Sequence, residues 1–252
     1  MISISNAMDS LPTSTDTQPI IRRPPNNDFY MSETEENKIM DPGCFSPEIS
    51  QFLSEEKSYL SSYFNQESYD CIVEVGCHAG HNTEWLSSLC DYYIGIDVNE
   101  NAIAQANRTF QFRKNIEFRC ASVEALRPML LTNVSRKKRL IVLFPFNLFG
   151  NFINITKLIE MLDVSGVDLA MCNFNTKAAT TIGRYKYYLN CFKGVGIRVF
   201  DAEQGVLFKA GQNFRSIAFN REYLTRKIQE VSEFHGIVTS FSVFGDLYLL
   251  TK

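Results

Sequence analysis

Apolar strand-like runs alternate with helix-like stretches in the middle of this chain, and this alternation limits the possible folds more than any other feature. The strand-like runs are residues 71–75, 92–98, 115–121, 139–146 and 167–175. Strands that alternate with helices at this spacing form βαβ units, in which successive strands run parallel. The run 139–146 is apolar throughout, which is typical of a strand buried on both faces. We therefore expect an α/β fold with a doubly wound, mostly parallel sheet.

The stretches between these runs have the spacing of helices. They are residues 81–90, 100–110, 123–130 and 155–166. Another helix is predicted over residues 46–64, with Ser46 as its N-cap and Pro47 as its first residue. Serine and proline are both favoured at these two positions of a helix.

After residue 175 the alternation ends. Helices are predicted over residues 181–192 and 221–236. Between them, residues 196–220 hold two or three short strand-like runs separated by Gln-Gly and Ala-Gly turns, which indicates a hairpin insertion. The last two strand-like runs, joined at Gly245-Asp246, predict an antiparallel strand pair at the C-terminus.

Residues 1–43 differ in composition from the rest of the chain. Six of the eight prolines lie at or before Pro47, and a Ser/Thr-rich stretch covers residues 10–17. A segment of this kind cannot bury enough apolar surface to order itself alone. We expect a disordered or lid-forming N-terminal arm at 1–43, followed by one domain over residues 44–252.

The charge of the chain argues against a nucleic-acid partner. The formal net charge is −3 and the isoelectric point is about 5.7. Proteins that follow a phosphate backbone normally carry a basic stripe. The densest basic run, residues 136–139, directly precedes an apolar strand and is interpreted as a solvated turn.

Cysteine and histidine usage predicts a reducing compartment and no metal site. The seven cysteines are an odd number without a disulfide framework or a C-x-x-C pair, which indicates a reducing compartment, and we expect a cytoplasmic protein. The three histidines, His78, His81 and His235, are too few and too scattered to complete a tetrahedral metal site. No apolar run of 18 residues exists, so we expect no contact with a membrane.

The loop after the first strand is the strongest functional signal. A dinucleotide-binding loop that starts at Gly76 would need glycines at the positions of His78 and His81, so the glycine fingerprint fails. A P-loop would need a lysine that is absent here. The pattern that does fit is an acidic residue two positions before a glycine and a second glycine four positions after it, as in Glu74-x-Gly76-x-x-x-Gly80.

Taken with the strands and helices after it, this pattern resembles the class I S-adenosylmethionine-dependent methyltransferases over residues 70–175 and the two final strands. The resemblance implies that the loop 74–80 surrounds the amino-acid end of S-adenosylmethionine. It also implies that Asp97, 21 residues after Gly76, accepts hydrogen bonds from both ribose hydroxyls. Ser122 stands where the family usually has an aspartate that contacts the adenine amino group. The residues implied at the cofactor are Glu74, Gly76, Cys77, His78, Gly80, Asp97, Val98, Ala121, Ser122 and Phe144.

His78 replaces the glycine that such loops usually carry at their middle position. A sulfonium cofactor has no pyrophosphate, so the loop needs less glycine than a dinucleotide loop does. We expect His78 to be tolerated, either because its φ is negative or because its side chain points away, and to flank the cofactor. No general base stands out, since His81, His235 and Glu84 have no recognisable partner in the sequence.

The resemblance implies methyl transfer from S-adenosylmethionine by in-line displacement, with S-adenosylhomocysteine as the product. The acidic isoelectric point and the compact insertion favour a small-molecule acceptor. The insertion at 196–220 is expected to cover the substrate, with Lys209 among its polar anchors, and Asn151 is a further polar candidate after the fourth strand. Phe29-Tyr30 in the N-terminal arm is expected to fold over the cofactor. The substrate candidates are Tyr30, Asn147, Tyr185, Tyr188 and Arg215.

Other functions stay open at this point. A non-catalytic cofactor-binding protein or partner subunit with a methyltransferase fold is the first, because His78 and Ser122 depart from the family pattern. An RNA or protein methyltransferase is the second, and a nicotinamide oxidoreductase is the third. A homodimer is also open.

Overall fold

The structure is a computed structural model that describes residues 39–134, 139–211 and 213–252. Most of the predicted N-terminal arm, including Tyr30, and the basic residues 136–138 lie outside the described residues. None of the described helices is long and apolar enough to cross a membrane.

Ten strands form two sheets in the described residues. The strands are β1 (Tyr69–Val75), β2 (Cys90–Asp97), β3 (Ile116–Cys120), β4 (Leu140–Phe144), β5 (Val167–Phe174), β6 (Ile197–Ala202), β7 (Gly205–Ala210), β8 (Phe214–Phe219), β9 (His235–Ser240) and β10 (Gly245–Thr251). The large sheet has the order β3-β2-β1-β4-β5-β10-β9 and the small sheet has the order β6-β7-β8. Strands β1 to β5 pair in parallel, whereas β10 is antiparallel to both of its neighbours. The predicted α/β sheet with a C-terminal antiparallel strand pair is confirmed.

Among the described residues, seven helices pack around the large sheet or next to it. They are α1 (Pro47–Gln66), α2 (Thr83–Leu86), α3 (Glu100–Thr109), α4 (Leu126–Val134), α5 (Ile155–Leu162), α6 (Ala178–Cys191) and α7 (Arg221–Val231). One face of the sheet packs against α4, α5 and α7, and the opposite face packs against α1, α2 and α3. The sheet is thus doubly wound, as the alternation of strands and helices predicts.

Several element boundaries differ from the sequence-based expectation. The helix predicted at 221–236 ends at Val231, because His235 already belongs to β9. The helix predicted at 155–166 ends at Leu162. The helix predicted at 81–90 is limited to α2, because Cys90 already belongs to β2. The helix predicted at 123–130 continues to Val134, and Pro128 is accommodated because first-turn N–H groups need no partner within the helix. Gly245-Asp246 does not form the last turn; these two residues begin β10, and residues 241–244 make the connection.

The insertion between β5 and α7 is a separate three-stranded antiparallel sheet. A buried cluster that includes Tyr188, Phe208 and Phe214 joins it to α6. Arg184 of α6 is 1% exposed and donates to Val206 O at 3.2 Å and Ser216 O at 2.9 Å. These contacts attach the insertion to the main domain beside β5.

Candidate functional site

A cavity of about 480 Å³ opens at the carboxyl ends of the parallel strands. Its wall includes the end of β1, the loop directly after it, the ends of β2 and β3, and the segment after β4. Ligand sites in open α/β sheets lie at this edge, and cavities that bind small molecules have volumes of this order. Seven of the ten residues predicted at the cofactor line it: Glu74, Gly76, Cys77, His78, Asp97, Val98 and Ala121.

The loop after β1 depends on a glycine at position 76. Gly76 has a φ of +71°, in the left-handed region that favours glycine. A Cβ at this position would lie 2.7 Å from Cδ2 of Leu148, a residue that also lines the cavity. The loop can therefore approach the segment after β4 only because residue 76 has no side chain.

His78 lies in the cavity wall with a left-handed backbone. Its φ is +48°, so the expectation of a negative φ was wrong. The residue is part of the cavity wall. Its ring centroid is 5.1 Å from that of His81, which also lines the cavity. His78 Nδ1 is buried without a hydrogen-bond partner among the described residues.

The unusual backbone of His78 orients Asp97. The His78 N–H donates to Asp97 Oδ2 at 2.8 Å, and the Asn99 N–H donates to Asp97 Oδ1 at 2.9 Å. Each oxygen of an ionised carboxylate can accept about two hydrogen bonds, so both oxygens keep acceptor capacity for a ligand. Asp97 therefore presents two fixed acceptors at the cavity, as the recognition of a vicinal diol requires.

Glu74 is a buried carboxylate in the same wall. It is 1% exposed and accepts hydrogen bonds from Asn82 Nδ2 at 2.7 Å and from the hydroxyl of Tyr93. The pKa of Glu74 is raised from 4.5 to about 7, mainly by burial and to a smaller extent by the nearby charge of Asp97, against the opposing effect of the two hydrogen bonds. A cation in the cavity would favour the ionised form of this carboxylate.

Three residues predicted at the cofactor do not line the cavity. Phe144 is fully buried and packs against Phe149 and Phe152. Gly80 turns the loop, with a φ of +86°. Ser122 precedes a short 3₁₀ helix, and its neighbours Ala121 and Val123 line the cavity instead.

Two consecutive non-glycine residues after β4 have left-handed backbones. They are Phe146, with a φ of +46°, and Asn147, with a φ of +55°. Phe146 lines the cavity, and its N–H donates to Oε1 of the buried Glu56 at 2.7 Å. Backbone outliers of this kind persist only where surrounding contacts hold them, and they cluster at functional sites.

The substrate candidates in the described residues lie outside the cavity wall. Asn147 is 1% exposed, and its amide binds Ser216 Oγ, Ile217 O and Phe174 N, so it organises the loop. Tyr188 is buried against the insertion, whereas Tyr185 is exposed on α6. Arg215 donates to Phe152 O at 2.9 Å. None of the described residues of the insertion lines the cavity, so its expected role as a substrate cover stays a prediction.

Of the remaining wall, Asn151 was a polar candidate, His81 was considered as a base, and Phe146 was expected to pack either on the cofactor or in the core; the other residues were not predicted. Apart from Asn151, this part of the wall consists of Ile39, Met40, Leu53, His81, Asn82, Val123, Glu124, Pro145, Phe146, Leu148, Phe152, Ile153, Asn154, Lys157, Leu158 and Met161, together with the strand residues Val75 and Ile96. Among the described lining residues, the acidic ones are Glu74, Asp97 and Glu124. The basic ones are Lys157 and the two histidines. The cavity thus combines an acidic end at the strand termini with a mostly apolar wall.

Of the three groups considered as a base, one reaches the cavity. His81 lines it, and partial desolvation of its ring together with the neighbouring His78 lowers the pKa of His81. Glu84 is exposed and pairs with Arg113 at 3.5 Å. His235 begins β9, at the opposite edge of the sheet.

Residues 72–135 match the family model of a methyltransferase domain. The chain is similar in structure to an S-adenosylmethionine-dependent methyltransferase from Clostridium acetobutylicum, with 12% identity and a TM-score of 0.52 over 79% of this chain and 91% of that chain. It is also similar to the PH0226 protein from Pyrococcus horikoshii, with 13% identity and a TM-score of 0.57 over 87% and 99% of the two chains.

A third similar structure is the 1,6-didemethyltoxoflavin-N1-methyltransferase of Burkholderia thailandensis, with bound 1,6-didemethyltoxoflavin and S-adenosylhomocysteine. It shares 9% identity at a TM-score of 0.53, over 80% of this chain and 78% of that chain. No curated protein matches the sequence. The predicted resemblance to S-adenosylmethionine-dependent methyltransferases is confirmed for the fold and for the methyltransferase domain.

Proposed function

We propose that this protein transfers a methyl group from S-adenosylmethionine to a small-molecule acceptor by in-line displacement. The observation that carries the proposal is Asp97, whose two oxygens are held by separate backbone N–H groups at the edge of the cavity. A rigid pair of acceptors at the end of β2 suits the two ribose hydroxyls. The distance in sequence between Gly76 and Asp97 supports the same assignment.

The charge of the cavity suits a cationic cofactor. Glu74 and Asp97 lie together at the ends of β1 and β2, without a lysine or arginine among the described residues that line this end. Opposite charges at short range stabilise each other most where water is excluded. A sulfonium and an ammonium group fit this environment better than a pyrophosphate does, so a nicotinamide dinucleotide is disfavoured.

The bound cofactor supplies an activated methyl group whose leaving group is a neutral thioether. The protein contributes alignment of the two reactants, which accounts for up to ~7–11 kcal/mol in favourable cases. Phe146, Phe152 and Met161 make part of the cavity wall apolar. Because its pKa is lowered, His81 is neutral at pH 7 and can accept a proton from an acceptor that must lose one.

A small-molecule acceptor is supported by the size of the cavity and by its apolar wall. A volume of about 480 Å³ accommodates a nucleoside-sized group and a compact second molecule. The structurally similar enzyme from Burkholderia thailandensis is named for a small-molecule acceptor.

The seven free cysteines support a reducing, cytoplasmic compartment.

Calorimetric titration with S-adenosylmethionine and S-adenosylhomocysteine tests this function. We expect micromolar binding by the intact protein and a loss of at least about tenfold in Asp97→Asn, which removes a charged acceptor. Asp91→Asn is the matched control, because Asp91 is exposed near the start of the same strand. Binding that Asp97→Asn leaves unchanged would refute the site. Binding without turnover on any amine, phenol or acid would instead indicate a non-catalytic cofactor-binding protein.

A further inference from the structure

The left-handed backbone of Phe146 and Asn147 needs contacts that offset its conformational cost. Asn147 has several, since its side chain binds β5 and β8 and its N–H donates to Cys172 O at 2.7 Å. For Phe146 the polar contact is the hydrogen bond from its N–H to Glu56 Oε1. The backbone of the residue that lines the cavity is therefore held by a side chain of α1.

Glu56 occupies a position that an apolar residue would normally fill. It is 4% exposed and lies on the buried stripe of α1, between Phe52 and Leu60. No ion pair involving Glu56 occurs in the described residues. A buried carboxylate without a cation is costly, so its retention needs a specific contact.

The groups that face Glu56 leave its protonation responsive to pH near neutrality. Cys172 of β5 hydrogen-bonds to it, and the carboxylate of Glu74 on β1 acts on it through its charge. Burial raises the pKa of Glu56 from 4.5 to about 7, while the bond from Phe146 opposes this shift. The ionised carboxylate is the stronger acceptor for an N–H donor.

We propose that Glu56 is a positioning residue, which fixes the Phe146 wall of the cavity through the Phe146 N–H and does so most firmly when it is ionised. The Phe146 ring packs against Phe52, Phe174 and Tyr187. A shift of the Phe146 backbone would therefore move these packed rings together with this part of the cavity wall. Glu56 lies outside the segment that matches the methyltransferase family model. Its effect on cofactor binding rests on the proposed function, whereas its effect on the loop does not.

The amide resonance of Phe146 gives a direct test. Pro145-Phe146 is the one Pro-Phe dipeptide of the sequence, so carbonyl-¹³C proline combined with ¹⁵N phenylalanine yields a single carbonyl-coupled amide signal. We expect the chemical shift of the Phe146 amide proton to titrate with a midpoint at about pH 7 and to move upfield as Glu56 becomes protonated. In Glu56→Gln, which keeps an acceptor oxygen but no charge, this titration should disappear.

Glu55→Gln is the matched control, because Glu55 is the adjacent residue of α1 and bonds to Gln51. The Phe146 titration should persist in this variant. A Phe146 amide that does not titrate in the unaltered protein, or that titrates equally in Glu56→Gln, would overturn the proposal.

A second experiment measures the binding of S-adenosylhomocysteine. In the unaltered protein, we expect the affinity for S-adenosylhomocysteine to rise by up to about tenfold as the pH increases through the midpoint of the Phe146 titration. In Glu56→Gln this rise should be absent. Glu55→Gln should keep it. If the unaltered protein does not bind S-adenosylhomocysteine, the proposed function fails while the amide titration still decides the role of Glu56. Binding whose pH profile is the same in Glu56→Gln would refute the effect on the cavity.

Discussion

The backbone N–H of His78 donates to Asp97 Oδ2 at 2.8 Å, which connects the loop after β1 to the end of β2. His78 adopts a left-handed backbone to make this contact. The residue that breaks the glycine pattern in the sequence thus uses a backbone conformation that glycine would adopt more easily. Its N–H orients Asp97, and its ring is a separate feature of the cavity wall.

Substitution of His78 can separate these two features. His78→Gly keeps the N–H and relieves the left-handed strain, so we expect an unchanged fold and a free energy of unfolding higher by up to about 1 kcal/mol. His78→Pro removes the donor and cannot adopt a positive φ, so cofactor affinity should fall by at least about tenfold. Chemical denaturation and calorimetry measure the two effects. If His78→Pro bound as tightly as His78→Gly, the role of this N–H would be disproved.

Gly76→Ala should damage the cavity more than its backbone strain alone explains. The added Cβ would meet Leu148 Cδ2 at 2.7 Å, in addition to the cost of a positive φ. Gly194→Ala is a matched control, because Gly194 has a φ of +79° and no atom within 4 Å of the added Cβ. We expect a loss of about 1–2 kcal/mol of unfolding free energy at Gly194 and a larger loss at Gly76. Equal losses, with cofactor affinity retained in both variants, would contradict the close approach of the loop to Leu148.

The buried carboxylate of Glu74 predicts a specific dependence of stability on pH. Its pKa is about 7 in the folded protein and 4.5 in the unfolded chain, so the folded protein binds the proton more tightly. The stabilisation is fully present below about pH 4.5 and is lost as the pH rises through about 7. Complete loss corresponds to about 3 kcal/mol.

Glu74→Gln should therefore be more stable than the unaltered protein at pH 8, and this difference should shrink towards pH 5. Urea denaturation at a series of pH values measures it. Glu124→Gln provides a control on the same cavity, because Glu124 is exposed. A difference for Glu74→Gln that does not change with pH would contradict the assignment of the titration to Glu74.

The sequence identified the parts of the site whose position is set by the ends of strands. Glu74, Gly76 and Asp97 lie at the carboxyl ends of β1 and β2, and parallel strands bring those ends together. Local pattern sufficed there because each residue comes directly after, or at the end of, a strand that the pattern predicts.

The rest of the site depends on contacts that no local pattern encodes. Lys157 and Met161 reach the cavity through the path of residues 148–161, which is set by packing against the sheet. Asn147, a predicted substrate residue, lies outside the cavity wall, because its amide binds β5 and β8. The unusual position of Glu56 is visible in the sequence, because this carboxylate stands at helical spacing between Phe52 and Leu60. Its contact with Phe146 could not be predicted, because the two residues are 90 positions apart.

Removal of the N-terminal arm should weaken cofactor binding, and the structure indicates where the effect begins. Ile39 and Met40 line the cavity, and Ile39 O accepts a hydrogen bond from the Tyr187 hydroxyl. Deletion of residues 1–43 removes these two side chains, so we expect the affinity for S-adenosylhomocysteine to fall by about tenfold. Deletion of residues 1–38 keeps both and isolates the contribution of the preceding segment, which includes Tyr30. If the shorter deletion has the full effect, the predicted lid lies before Ile39; if neither deletion changes the affinity, the arm has no part in cofactor binding.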